Sequence, residues 1–132
     1  MKKLKFLTLL FLGINSLSCF GYTDAEIAKA LADEVKRQSV SLPLETREVK
    51  IFSMVAGPGK VVTYRTIIKG VVAKNLPIDW KIKRRALLIK QYCTDPGFKP
   101  FWRDDIAVAW TDLDASGTWI LNTGVSLSDC KK

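Results

Sequence analysis

The sequence predicts an α+β fold: an antiparallel four- to five-stranded sheet with its helices on one face, one disulfide, and a signal peptide ahead of it. Three observations carry that expectation. Apolar periodicity runs helix, two strands, helix, two strands between residues 23 and 125. The chain opens with the parts of a secretory signal. Beyond that signal two cysteines remain, Cys93 and Cys130, and an even pair in an oxidising compartment is most simply a disulfide.

The signal reads from its composition. Met1-Lys2-Lys3-Leu4-Lys5 is basic, Phe6 to Ile14 is apolar, and small residues follow up to Gly21. The apolar run is too short to span a bilayer comfortably. Residues 1–21 are therefore set apart as signal peptide, and residues 22–132 form one domain. Cys19 leaves two fates open. A lipoprotein signal asks for Leu, Val or Ile three residues before the modified cysteine and a small residue just before it. Ser18 meets the second requirement, but Ser16 stands at the first position and Leu17 is displaced by one. Lipidation at Cys19 would anchor the protein at the outer membrane. Cleavage after Gly21 would release a soluble periplasmic protein beginning at Tyr22, and this second fate is favoured.

The elements follow in order. Thr23-Asp24-Ala25-Glu26 is a capping box, and Ile27, Ala28, Leu31, Ala32 and Val35 form a helical stripe that ends near Ser39. Thr46 to Ala56 reads as a strand, with Val49, Ile51 and Val55 alternating against Lys50, Phe52 and Met54. Ala56-Gly57-Pro58-Gly59-Lys60 is a turn, and Val61 to Ile68 the returning strand of a hairpin. A second helix carries Ile78, Ile82, Ala86, Ile89 and Cys93 on one face; Asp95-Pro96-Gly97 halts it, because proline has no amide to donate and disfavours helical geometry before it. Phe98 to Trp102 is an aromatic connection. Ile106 to Trp110 and Thr118 to Val125 are strands around a solvated loop, Asp112 to Gly117. A Cys93–Cys130 bridge would tie the tail back to the second helix, worth about 4 kcal/mol by loop-closure entropy.

Composition excludes several chemistries. The chain has no histidine, so a Ser-His or Cys-His nucleophile and the commonest general base are absent. No catalytic residue, cofactor or metal site is expected. Asp112, Asp114 and Ser116 alternate as in a calcium loop, but the bidentate glutamate is missing, with Asn122 and Thr123 in its region. The formal charge is +8, of which Lys2, Lys3 and Lys5 contribute three, leaving +5 for residues 22–132. That density does not suit a nucleic-acid binder. Lys81, Lys83, Arg84, Arg85 and Lys90 make the second helix basic, which fits a solvated face, anionic lipid headgroups or an acidic partner. Trp80, Trp110 and Trp119, with the small-residue helix of Ile27, Leu31 and Val35, are the candidate partner-binding residues.

With the sequence Cys93-Thr94-Asp95-Pro96, a second cysteine at 130 and a hairpin across Gly57-Pro58-Gly59, the layout of residues 22–132 resembles the AspS-type pilotins of type II secretion. The resemblance implies an N-terminal helix, a long hairpin, a helix ending in a Cys-x-Asp-Pro step and a disulfide from that cysteine to the tail. It further implies a non-enzymatic protein that binds a short C-terminal segment of a secretin and helps that ring subunit reach or assemble in the outer membrane. Pilotins are usually lipoproteins, and the residues before Cys19 depart from that pattern. A monomer is expected. The alternative function is a small periplasmic inhibitor or immunity protein, which would present a protruding loop at Ala56–Lys60 or Asp112–Gly117.

Overall fold

The first helix, α1 (Asp24–Gln38), starts where its capping box places it: Glu26 N donates to Thr23 Oγ1, and Thr23 N donates back to Glu26 Oε1. Asp24 and Glu26 in the first turn and Lys36 and Arg37 in the last both complement the helix dipole. Ile27, Leu31 and Val35, each four residues after the last, are buried against the sheet. The structure is a computed structural model and describes residues 22–131, so the expected signal peptide and Cys19 lie outside the described residues.

Five strands follow: β1 (Leu44–Glu45), β2 (Val49–Ala56), β3 (Val61–Ile68), β4 (Ala107–Leu113) and β5 (Trp119–Val125), paired in that order into one sheet. The β2–β3 hairpin turns at Gly57 and Gly59, both at positive φ, which glycine adopts without a Cβ clash. The sheet is antiparallel except at its centre, where β3 and β4 run parallel. A parallel neighbour requires a crossover connection, and the second helix, α2 (Ile78–Thr94), supplies it.

Alternation on β3 sends Val62, Tyr64, Thr66 and Ile68 inward, and on β4 Val108, Trp110 and Asp112. Both helices cover this one face. On β2 the expected alternation is corrected after Ile51. An irregularity at Phe52 inserts one residue, so Met54 turns into the core and Val55 turns out, 48% exposed. Phe52 is left on the open face beneath the Arg65 guanidinium.

The end of α2 explains the Cys-Thr-Asp-Pro step. Asp95 Oδ1 accepts from Gly97 N at 2.9 Å and so caps the following 3-10 turn, with Pro96 in its first position where no amide is needed. Cys93 is bonded to Cys130, fixing the tail segment Leu127–Lys131 against α2. The aromatic connection is itself helical: α3 (Lys99–Asp104) starts with Pro100 in its first turn, where proline is tolerated. Its Phe101 joins Phe98, Tyr92 and Trp110 in a buried aromatic cluster with ring centroids 5.4 to 6.3 Å apart. Tyr92 Oη donates to the Ile106 carbonyl and Trp102 Nε1 to the Tyr92 carbonyl, so these rings bury their polar ends paired.

Candidate functional site

α2 sits on the sheet in a different rotation from the one its isoleucines suggested. Leu88 and Tyr92 are buried and Trp80 and Arg84 half-buried, all at four-residue steps, whereas Ile78 and Ile82 are 72% and 63% exposed. The period was legible and the phase was not. Two inward polar bonds set that phase: Tyr92 to the Ile106 carbonyl, and Arg84 to Asp112.

Asp112 is fully buried on β4. Arg84 Nε and Nη2 donate to its two oxygens at 2.9 and 3.1 Å, and the Thr66 hydroxyl donates to Oδ1. This forked pair anchors one wall of a groove of about 430 Å³ between α2 and the ends of β2 and β3. Val49, Ile68, Trp80 and Leu87 give the groove an apolar floor and side, and Glu48, Lys69, Lys83 and Arg84 its polar rim. Trp80 packs against the small cluster of Ile68, Ile120 and Leu121. Lys69 is held by the Glu45 carboxylate and by the Thr46 carbonyl at 2.8 Å, and Lys83 lies 3.6 Å from Asp79. A concave apolar strip with a few charged groups at its margin can receive an amphipathic segment.

The structure brings only part of the sequence-derived set to this groove. Trp80 lines it. Trp119 stands on β5, 54% exposed, under the ammonium of Lys81. Ile27, Leu31, Val35 and Trp110 lie away from the groove: all four are buried in the main core, where they hold α1 and the aromatic cluster. Val49 and Ile68, which close the groove, come from two strands, and nothing in their local sequence set them apart from other inward strand residues.

The loop after β4 is solvent-exposed from Ala115 to Thr118 and is built around one buried aspartate. Asp114 is buried, and its Oδ1 accepts from Ser116 N, Ser116 Oγ and Thr118 N at 2.9, 2.6 and 3.0 Å. Its Oδ2 accepts from Ala73 N at 3.0 Å, pinning the β3–α2 connection to the hairpin. The Ser116 hydroxyl bond first, then the backbone amides, lower the Asp114 carboxyl to a pKa of about 2. The native state thus favours the carboxylate more than the unfolded chain does. Stability from this contact is present above the ordinary aspartate value of about 3.9 and is lost as the pH falls through about 2. Urea midpoints between pH 5 and pH 2 should therefore fall less in Asp114→Asn than in the parent. An equal decline in both would refute this role.

No protein-family model matches the chain, and no curated protein matches it in sequence. Solved structures do. The pilotin EpsS of the Vibrio vulnificus type 2 secretion system superposes with a TM-score of 0.68 at 14% identity, covering 83% of this chain and 96% of that one. The type II secretion system pilotin AspS of Vibrio cholerae gives 0.63 at 14% identity, covering 81% and 94%. A candidate secreted protein of Pseudomonas aeruginosa gives 0.66 at 14% identity, covering 83% and 99%. The fold of residues 22–131 is thus the fold of these pilotins over nearly their whole length.

Proposed function

We propose that this chain is a non-enzymatic binding protein of the cell envelope that takes up a short C-terminal segment of a secretin and assists that subunit's assembly. The observation that carries the reading is the fold held in common with two type II secretion pilotins across 96% and 94% of their chains. The groove beside α2 supplies a physical means. A partner helix with apolar residues at helical spacing would bury them against Trp80, Leu87, Val49 and Ile68, and the sheet and the Arg84–Asp112 pair preform the groove so that little ordering is needed on binding. The reading places the protein in the periplasm as a monomer, with Cys19 either acylated or removed.

The test is in-cell photocrosslinking from position 87 on the groove rim, with mass spectrometry of the adduct and of the protein's own mature N-terminus. A secretin subunit should dominate the adducts, and Trp80→Ala should cut their yield about tenfold, as loss of a central aromatic anchor does. Adducts with a hydrolase or toxin would replace this function with inhibition, and adducts indifferent to Trp80→Ala would remove the groove from it.

A further inference from the structure

We propose that the flank of α2 opposite the groove is a docking surface for an anionic phospholipid bilayer. Trp80, Lys83, Arg84 and Leu87 face the groove along one side of this helix. Ile78, Lys81, Ile82 and Arg85 are linked by three- and four-residue steps, so they share another side. Ile78 and Ile82 project from it 72% and 63% exposed. Lys81 reaches over the Trp119 ring, with its ammonium 5.7 Å from the centroid, and Arg85 Nη2 donates to the Asn122 carbonyl at 3.4 Å. Those contacts join the helix flank to Trp119 on the edge strand β5. The result is a patch of three large exposed apolar side chains with two cations among them.

Exposure and charge together select the occupant. The groove that suits a partner helix lies on the other flank. Exposed isoleucines and a tryptophan set among cations suit a planar interface, where isoleucines enter the acyl boundary, tryptophan sits at headgroup depth and lysine and arginine meet phosphates. The charge is concentrated here: α2 holds five of the eighteen cations of residues 22–132 against a single acid, Asp79. Arg84 is used internally by Asp112, whereas Lys81, Arg85 and Lys90 remain on the helix's outer sides. No helix among the described residues is long and apolar enough to cross a membrane. The proposal is independent of the secretin reading, because it uses the opposite flank of α2.

The experiment is vesicle co-sedimentation of the protein as cells process it, with vesicles of phosphatidylglycerol and phosphatidylethanolamine or of phosphatidylcholine alone. Parent and Ile78→Ser/Ile82→Ser are compared with the same N-terminus, so that any acyl chain or residual leader contributes equally to both. These side chains are exposed, and unchanged melting of the variant confirms its fold. The parent should bind the anionic vesicles, and the double variant should bind them about tenfold less, as expected from losing two inserted aliphatic side chains. Lys81→Gln/Arg85→Gln should weaken binding to the anionic vesicles and leave any residual phosphatidylcholine binding unchanged, at about fivefold per cation near the surface. Equal sedimentation of parent and Ile78→Ser/Ile82→Ser, or equal affinity for both vesicle types, overturns the proposal. Loss of an in-cell protein crosslink in the double variant without any vesicle binding overturns it in favour of a protein interface.

Discussion

Cys93→Ser melts about 15 °C or more below the oxidised parent, and reductant lowers the parent to meet it while leaving the variant unmoved. The bridge closes a loop with a sequence separation of 37. In the chain-entropy account a loop of that length removes about 4 kcal/mol of freedom from the unfolded chain. For a domain near a hundred residues each kcal/mol moves the midpoint by about 4–8 °C, so a shift of this size is expected even when part of the entropy is recovered elsewhere. The structural reason is local. The tail segment Leu127–Lys131 has no buried residue of its own and is held to α2 chiefly through Cys130, with Asp129 capping it by accepting from Ser126 N at 2.8 Å. Cys93 sits two residues before the buried Asp95, so releasing the tail also loosens the side of α2 that carries Ile89 and Cys93 onto the main core. Thermal melts of parent and variant with and without reductant decide the matter. Superimposable curves in all four conditions would show that the bridge contributes nothing to stability.

What the sequence could and could not disclose follows from the range of the interactions involved. The start of α1 was readable because a capping box is complete within four residues, and the β2–β3 hairpin because Gly57-Pro58-Gly59 leaves a chain little choice but to turn. The disulfide was readable because, once residues 1–21 are read as a signal peptide, two cysteines remain and have one pairing to make. The parity of β2 beyond Ile51 was not, since an inserted residue at Phe52 is decided by how β2 meets β3. The rotation of α2 was hidden for a related reason. Its sequence carries two apolar stripes, and the choice between them rests on Asp112 and on the Ile106 carbonyl, 28 and 14 residues away in the chain from Arg84 and Tyr92. Of the candidate partner residues, Trp80 came from a helix whose basic flank marked it as surface. Ile27, Leu31, Val35 and Trp110 were core residues whose spacing alone could not say what covers them. The exposed Ile78 and Ile82 are what remains when one of two stripes is taken by the sheet.

The choice of stripe is itself testable, because the same bond that fixes it also builds the groove wall. Arg84→Met should cost about 3–5 kcal/mol, the usual penalty for leaving one member of a buried ion pair without the other. The side chains are 12% exposed for Arg84 and fully buried for Asp112, so the stranded carboxylate would keep only the Thr66 hydroxyl as a donor. Asp112→Leu should also destabilise, by less, since the freed guanidinium borders the groove and can reach water along it. The double variant Arg84→Met/Asp112→Leu should recover much of the loss. It restores a neutral interior, and the Thr66 hydroxyl retains the Thr111 carbonyl, 3.4 Å away, as an acceptor. Urea unfolding of the four proteins gives the coupling directly, and additive losses would mean that the pair is not the anchor described here. The cycle also separates stability from recognition. If the double variant is folded and still yields the position 87 crosslink, the groove depends on its apolar floor of Val49, Ile68 and Trp80. If it is folded and the crosslink is lost, the forked pair is what holds α2 in the rotation that opens the groove on one flank and turns Ile78 and Ile82 outward on the other.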